Sequence, residues 1–242
     1  MHPMPEYIID FHNHCNVDPI DVLSYSAFDL VDLAVKRGID AFAITPHRDV
    51  FYQPEAQAYA ASKGKLLIAG VEKKIENFEV LILNVTPADI PEKCLFEDLR
   101  KLRQERRDDI LVIAPHPFYP HKSCVGPRLD QYADCFDAIE YSHFYFLGWN
   151  PNEEAVAWAN AYQKPIIANS DAHTLSMFGN NKSTVICENL TTRDIFDAIR
   201  AGNVIADPQG ASLLKALQFL FRVEIYQKIA RLLRKRCHKK NG

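Results

Sequence analysis

The sequence lacks a hydrophobic run long enough to cross a membrane, since no stretch approaches ~18 uncharged apolar residues. Residues 1–10 also lack the basic region, apolar core and small-residue cleavage site of a signal peptide. Hydrophobic residues make up 48% of the 242 positions and charged residues 24%, as in ordinary globular proteins. These features predict a cytoplasmic protein with one large domain or two small ones.

The chain has no Cys-x-x-Cys pair among its six cysteines. Their scatter favours reduced thiols over a disulfide framework. Cys15 directly follows a histidine pair and is a candidate thiolate ligand. However, alternation along a strand would point Cys15 away from the face that His12 and His14 share. We therefore interpret Cys15 as a small apolar residue.

Short β-branched or apolar runs alternate with helical patterns along the chain. The predicted strands are Tyr7–His14, Ala41–His47, Leu66–Ile75, Glu79–Val85, Ile110–His116, Ala138–Ser142, Pro165–Asp171, Thr184–Glu188 and Asn203–Ala206. Repeated strand and helix units predict an α/β fold with a mostly parallel sheet and helices outside it.

Three helices are predicted between these strands. Apolar residues from Phe28 to Val35 indicate a helix that ends at Gly38, and Leu95, Leu99 and Leu102 share one helical face. A third helix begins with a capping pattern at 191–194 and ends at Gly202.

Histidines and carboxylates lie at the ends of the predicted strands. They are His12, His14, His47, Glu72, His116, Asp171 and His173. The C-terminal ends of strands in a barrel or an open α/β sheet reach one face, so these side chains would meet there. A lone histidine at a strand end is more often a satisfied polar residue. The combination of His-x-His with a late Asp-x-His instead predicts a metal site.

These residues resemble the motifs of the PHP (polymerase and histidinol phosphatase) family in order and spacing. The matching segments are 9–14, 45–47, 70–72, 115–117 and 169–173, with Glu140 and Gly179 also at family positions. The resemblance runs from about Tyr7 to about Ala206, and its most specific motif is Ser-Asp-Ala-His at 170–173. It implies a distorted TIM-like (β/α)7 barrel, two or three clustered divalent ions of Mn, Zn or Fe, and phosphoester hydrolysis.

The resemblance also implies which residues would bind each ion. One ion would be held by His12, His14, Glu72 and Asp171. Glu72 would bridge to a second ion that His116 also binds. A third would be held by His47, His173 and a loop carboxylate, for which Asp18 is the first choice and Asp21 the fallback.

Two departures from the family pattern weaken the prediction of a full three-ion centre. Pro46 stands where many members carry an acidic residue, and the stretch 79–84 offers no histidine to complete the second site. The second ion is therefore expected to be weakly bound, largely coordinated by water, or absent.

The predicted reaction is attack of a metal-bridging hydroxide on phosphorus, in line with the leaving group. His173 or His14 could relay a proton, and His143 could contact the substrate or protonate the leaving group. Arg48 and Lys73 are candidate phosphate-binding residues, with Lys74 as the alternative to Lys73. His121 is a candidate lid residue. The aromatic cluster at 141–149 would stack on a nucleobase or pack a loop.

Two other functions stay open at this point. One is a catalytically weak PHP-like barrel that serves as a nucleic-acid-binding or scaffold subunit, as in archaeal and eukaryotic ribonuclease P. The other is an amidohydrolase-like enzyme that cleaves C–N bonds, although no lysine is clearly placed for carboxylation. The expected substrate is a phosphorylated small molecule or a nucleotide, and nucleic acid is a further option.

The C-terminal segment differs in charge from the rest of the chain. Residues 222–240 contain eight Lys or Arg and only one acid, Glu224. An apolar stripe from Leu214 to Leu232 lies on a helix without Pro or Gly. We predict a metallohydrolase barrel over 1–208 and a basic amphipathic helix and tail over 209–242. That helix would pack on the barrel, lie on a membrane surface, contact RNA or mediate self-association.

Overall fold

A nine-stranded sheet forms a nearly closed barrel in this computed structural model, which describes residues 3–146 and 148–210. The strands are β1 (Glu6–Asp10), β2 (Ala41–Ile44), β3 (Leu66–Ile75), β4 (Phe78–Leu83), β5 (Leu111–Ala114), β6 (Ala138–Tyr141), β7 (Ile166–Ala168), β8 (Lys182–Ile186) and β9 (Val204–Asp207). Their order in the sheet is β7-β6-β5-β4-β3-β2-β1-β8-β9.

Seven of these strands run in one direction, and β4 and β8 run in the opposite one. The pairs β1–β2, β2–β3, β5–β6 and β6–β7 are parallel, and β4 and β8 are each antiparallel to both of their neighbours. Each predicted strand has a counterpart here. The sheet nevertheless differs from the expected seven strand–helix units, because β4 and β8 are reversed strands, and the connections that lead into them, β3–β4 and β7–β8, contain no α-helix.

Five α-helices lie in the described residues. They are α1 (Ala27–Arg37), α2 (Pro54–Ser62), α3 (Phe96–Arg106), α4 (Asn152–Ala161) and α5 (Thr192–Arg200), and 3₁₀ turns cover Gly126–Cys135. Helix α1 begins with a capping box between Ser26 and Asp29 and ends at Gly38, whose φ of 66° suits glycine. In α5, the Thr191 side chain accepts a hydrogen bond from the Asp194 N–H. Helices α1, α3 and α5 confirm the three predicted helices.

The interior of the barrel is filled with apolar side chains. The cluster joins residues of eight strands, among them Ile9, Ile68, Leu111 and Ile167, to the buried face of α5. Phe11 and Phe196 meet edge to face there, with ring centroids 6.3 Å apart. Because the interior is filled, the barrel is a packed core, and polar chemistry is restricted to the ends of the strands.

Ser183 of β8, the strand next to the end strand β9, connects this side of the sheet to β7 at its other end. Its hydroxyl donates to the Ala168 carbonyl of β7 (3.1 Å) and accepts from the Ala168 N–H (2.8 Å), and its side chain is fully buried. We expect Ser183→Ala to lower the free energy of unfolding by about 1–3 kcal/mol, since both backbone groups would stay buried without a partner. The exposed Ser62→Ala is the control, with an expected change within about 0.5 kcal/mol. Equal urea midpoints for the two variants would contradict a closing role for Ser183.

Several predictions fall outside the described part of the chain. The helix predicted for 209–242 lies there from residue 211 onward, so the division at 208 stays a prediction. Within 3–146 and 148–210, no helix combines the length and apolar character that a membrane span needs. The five cysteines of this part are buried and unbonded.

Candidate metal centre

The predicted histidines and carboxylates converge at the C-terminal ends of the parallel strands. His12 and His14 follow β1, and two backbone hydrogen bonds join them to Ala172, beyond the end of β7. The His14 N–H donates to the Ala172 carbonyl (3.1 Å), and the Ala172 N–H donates to the His12 carbonyl (3.3 Å). This pairing places the His-x-His motif directly beside the Asp-x-His motif.

A second short bridge joins His47 to Glu72. The Glu72 N–H donates to the Pro46 carbonyl and the Arg48 N–H donates to the Glu72 carbonyl, both at 3.1 Å. Gly70 permits this close approach, because a Cβ there would lie 2.8 Å from Leu83 Cδ2 and 2.9 Å from Thr45 Cγ2. A larger residue would clash at this position, which explains the glycine of the Gly-Val-Glu motif.

Two imidazole nitrogens face two carboxylates at the bottom of the centre. Nε2 of His12 and Nε2 of His14 each lie 3.3 Å from Asp171 Oδ1 and 3.5 Å from Glu72 Oε2. Both nitrogens are buried and have no hydrogen-bond partner in the described structure. The four residues predicted for the first ion therefore lie together, and the unpartnered Nε2 atoms of the two histidines face oxygens of the two carboxylates.

Glu72 faces two different groups of histidines. Its Oε2 lies 3.2 Å from His47 Nε2 in addition to the His12 and His14 contacts, and its Oε1 lies 3.3 Å from His116 Nε2. This is the arrangement that a bridging carboxylate requires. His116, predicted for the second ion, is thus beside the first group.

The two candidate loop carboxylates have different surroundings. Asp18 Oδ2 lies 2.9 Å from Nδ1 of both His14 and His47, and its Oδ1 accepts from the N–H groups of Ile20 and Asp21. Asp21 Oδ2 lies 2.8 Å from His173 Nε2 and 3.7 Å from His47 Nδ1. Asp18 therefore contacts the Nδ1 atoms of two imidazoles, whereas Asp21 lies beside His173 and His47.

Glu140 of β6 contacts two of the predicted ligands, and the sequence analysis named this residue without predicting these contacts. Its Oε1 lies 3.0 Å from His12 Nδ1 and 2.9 Å from Asn169 Nδ2, and its Oε2 accepts from the His116 N–H (2.9 Å). A carboxylate behind an imidazole fixes the tautomer and leaves Nε2 available as a ligand. The available signal was a lone acid in the apolar strand 138–141, which needs a buried partner.

Two more supporting residues were also missed. Cys124 Sγ lies 3.3 Å from His116 Nδ1, on the side of the ring opposite Glu72. Asp10 accepts hydrogen bonds from the N–H groups of Ser170 and Gly179 and so holds the loop of Asp171 against β1. Burial raises the pKa of Asp10 to about 6, and these hydrogen bonds oppose that effect.

The charges of the centre are strongly coupled. Burial alone would lower the pKa of His12, but the charges of Asp171, Glu140 and Glu72 raise it well above its ordinary value. Burial alone would raise the pKa of Glu72, but the charges of His12 and His47 hold it well below its ordinary value. Glu72 is thus ionised, as a carboxylate ligand must be.

The backbone at the centre is unusual. His116, Asp171 and Arg48 have φ angles of 28°, 44° and 69°. Non-glycine residues seldom adopt this left-handed region, and such conformations cluster at functional sites.

Two cavities lie at this end of the barrel. A cavity of about 120 Å³ opens over the centre and is lined by His47, Glu72, Glu79, His116, Tyr119, His121, Cys124, Phe144, Asp171 and His173. A separate cavity of about 680 Å³ is lined by Arg48, Lys73 and Lys74, with Asp49 and Glu92. The predicted phosphate-binding residues thus line the neighbouring cavity, because alternation along β3 points Lys73 away from the face of Glu72.

His143 follows β6, and both of its ring nitrogens are shielded from solvent. Burial lowers the pKa of His143 to about 4, although the charges of Asp171 and Glu140 act in the opposite direction. A neutral imidazole can accept a proton or bind an ion. The role of proton donor predicted for His143 would need a proton that it lacks at neutral pH.

The donor set fits divalent first-row ions. Five groups of three residues could each hold an ion, since the ligand atoms within each group lie within 4.8 Å of one another. The groups are His14–His47–His173, His12–His14–Asp171, His12–His116–Glu140, Asp18–Asp21–His47 and His47–Glu72–Glu79. Imidazole with carboxylate suits several such metals, and the unpartnered Nε2 atoms of His12 and His14 supply the structural reason to expect one.

Residues 149–204 match the sequence model of a family described as PHP-associated. The fold is similar to that of a two-domain protein of Bacteroides vulgatus that contains a predicted PHP-like metal-dependent phosphoesterase. The TM-score is 0.66 at 18% identity, over 85% of this chain and 66% of that one. The sequence match over this segment and the structural likeness are thus both to PHP-type proteins.

Two further solved structures have folds similar to that of this chain. PsfC from Pseudomonas syringae has a TM-score of 0.64 at 17% identity, over 95% of this chain and 99% of that one. Endonuclease Q, in complex with a 27-mer duplex with an abasic lesion at the active site, has a TM-score of 0.61 at 16% identity. That match covers 90% of this chain and 67% of the endonuclease. No curated protein matches the sequence. At these identities the likeness establishes the fold.

Proposed function

We propose that this PHP-type barrel is a metal-dependent phosphoesterase. The observation that carries the proposal is the pair of buried, unpartnered Nε2 atoms of His12 and His14, directed at oxygens of Glu72 and Asp171. Divalent ions bound there would supply a hydroxide nucleophile at neutral pH and neutralise charge on the phosphoryl oxygens.

The protein's own residues would have three kinds of task. His12, His14, Glu72 and Asp171 would hold one ion, and Glu72 and His116 would reach a second. His47, His173 and Asp21 would hold a third. Asp18 and Glu140 would orient the imidazoles.

His14 and His173 suit ligand roles better than the proton relay predicted for them. His14 Nδ1 is 2.9 Å from Asp18, and its Nε2 faces Asp171. His173 Nδ1 lies 3.0 Å from the Asp171 carbonyl, and its Nε2 lies 2.8 Å from Asp21. Because both nitrogens of each ring are directed at oxygens of the centre, neither ring is positioned to exchange protons with a substrate.

Arg48 and Lys73 would bind the substrate beyond the reacting phosphoryl group. The cavity over the centre, about 120 Å³, can accept little more than that group, and the cavity with Arg48 and Lys73 borders the same turn after His47. Lys73 is only 6% exposed, and its Nζ donates to the Arg48 carbonyl (3.2 Å). Cations in this position suit a further anionic group on a nucleotide or another phosphorylated small molecule.

Nucleic acid is a second substrate class. Endonuclease Q, which shares the fold, is bound to duplex DNA at its active site. Arg48, Lys73 and Lys74 beside the centre would suit the phosphates that flank a scissile one.

The test is a substrate screen with protein stripped of metal and reloaded with Mn²⁺ or Zn²⁺. The substrates are p-nitrophenyl phosphate, bis(p-nitrophenyl) phosphate, a 5′-phosphorylated oligonucleotide and a cyclic amide. We expect metal-dependent hydrolysis of at least one phosphoester and none of the amide. Hydrolysis of the amide alone would indicate a C–N hydrolase. Tight oligonucleotide binding without any hydrolysis would indicate a binding subunit.

A further inference from the structure

Three side chains form a hydrogen-bonded chain at the mouth of the metal pocket. None is among the ligands assigned under the proposed function, and one of them, Glu79, also belongs to one of the five possible ion-holding groups. His121 Nδ1 lies 2.6 Å from Ser123 Oγ, and the Ser123 hydroxyl donates to the Glu79 carboxylate. Both end members, Glu79 and His121, line the cavity over the centre together with His47, Glu72 and Asp171. A carboxylate, a hydroxyl and an imidazole are thus connected next to the place where chemistry would occur.

The backbone holds this chain of side chains in place. The Glu79 N–H donates to the Ser123 carbonyl (2.8 Å), which ties the loop to the start of β4. Within the loop, the Cys124 N–H donates to the His121 carbonyl (3.1 Å), and the Gly126 N–H donates to the Pro117 carbonyl (2.8 Å). Ser123 is fully buried, whereas His121 is exposed. An imidazole in contact with solvent is therefore positioned by a buried partner.

The hydrogen bonds also assign the protons. The Ser123 backbone N–H also points at His121 Nδ1, but at 3.4 Å, whereas Ser123 Oγ lies 2.6 Å from the same nitrogen. Because the single hydroxyl proton of Ser123 goes to Glu79, the shorter contact is assigned to an Nδ1–H of His121 that donates to Ser123 Oγ. The other nitrogen, Nε2, has no hydrogen bond within residues 3–146 and 148–210. In the imidazolium form, Nδ1–H is used by Ser123 and the Nε2–H is the proton that could be donated.

We propose that His121 is the general acid that protonates the leaving-group oxygen, and that Ser123 and Glu79 are its positioning residues. The proposal rests on the phosphoesterase function. A phosphoryl group held against His12, His14 and Asp171 would direct its leaving group toward the mouth of the cavity, where His121 lies.

The proton transfer balances without a further reactant. The bond from phosphorus to the leaving oxygen breaks, and that oxygen keeps the electron pair. It takes the proton of His121 Nε2 and departs as an alcohol, while an oxygen from water forms the new bond to phosphorus. The proton lost by that water goes to solvent, and neutral His121 takes one back from solvent.

The first test compares two substrates that differ in their need for a proton. Glycerol 3-phosphate releases an alkoxide that must be protonated, whereas p-nitrophenyl phosphate releases a stable phenolate. In the metal-loaded full chain, we expect His121→Gln to lower kcat for glycerol 3-phosphate by about 100-fold or more, with little change for p-nitrophenyl phosphate. Ser123→Ala should give a smaller loss in the same direction. The control is Lys122→Ala in the same loop. Equal losses on both substrates would overturn the acid role.

The second test does not depend on turnover. In ¹⁵N NMR spectra of the metal-free full chain, neutral His121 should carry its proton on Nδ1, and Ser123→Ala should abolish that preference. A proton on Nε2 in the wild type would overturn the assignment. The two proposals fail differently. A wild type that hydrolyses no phosphoester overturns the proposed function and the acid role with it. An active wild type with an unaffected His121→Gln variant overturns the acid role alone.

Discussion

Replacing His12 and His14 together by alanine should remove at least one bound metal ion per chain and reduce phosphoester hydrolysis to the background rate. The two Nε2 atoms face the same oxygens of Asp171 and Glu72, so the double variant deletes two ligands of one ion and leaves the carboxylates without imidazole partners. Elemental analysis of tag-free protein after reloading with Mn²⁺ or Zn²⁺ measures the ion count, and the substrate screen measures the rate.

The same variant should also be less stable without metal. Glu72 and Asp171 are buried, and the charges of nearby histidines hold their pKa values well below the ordinary range. Removing one partner of a buried ion pair costs about 3–5 kcal/mol, which urea unfolding can detect. Lys36→Ala, on the surface of α1, serves as the control for handling and metal loading. An unchanged ion count in the double variant would place the metal elsewhere and contradict the proposed centre.

Asp18→Ala and Asp21→Ala should have effects of different kinds. Asp18 contacts two imidazoles and accepts from three backbone N–H groups, those of Ile20, Asp21 and His47. Its loss should destabilise metal-free protein by about 3–5 kcal/mol, because a buried charge with several partners is removed. Asp21→Ala should instead lose one bound ion with a smaller change in the free energy of unfolding.

Ion counts and urea curves for the two variants, recorded side by side, distinguish these roles. If Asp18→Ala loses an ion and stays stable while Asp21→Ala keeps all ions, Asp18 is the loop ligand that the family resemblance implies, and our assignment of Asp21 is wrong. Each variant is the matched control of the other, since both replace a buried aspartate in the same loop.

The number and approximate positions of the strands were predicted better than the residues at which they end. The first run was expected to reach His14, but β1 ends at Asp10 and the histidines follow it in an irregular segment. Helices α2 and α4 escaped prediction because they are rich in alanine and lack a long apolar stripe; α2 buries only Ala56 and Ala60. Their stability comes from packing on the barrel, which sequence periodicity does not report.

For the centre, residue types and spacing were enough to predict which side chains would meet, but not how each nitrogen is used. Whether Asp18 binds an ion or the back of an imidazole depends on a contact of 2.9 Å between its oxygen and Nδ1 of His14. Residue spacing carries no such information. Arg48 and Lys73 show the same limit, since their neighbours in sequence, His47 and Glu72, line a different cavity.

The hydrogen bond from the Ser170 N–H to Asp10 spans 160 positions of the chain, and the contacts of His12 with Asp171 are nearly as distant. A contact of this sequence separation forms only after a large loop has closed, at a considerable entropic cost. During synthesis, a nascent chain whose residues up to 173 have not yet left the ribosome would present His12, His14 and Glu72 without Asp171. The complete ligand set would therefore form only when the barrel closes, and ion binding would accompany the last steps of folding.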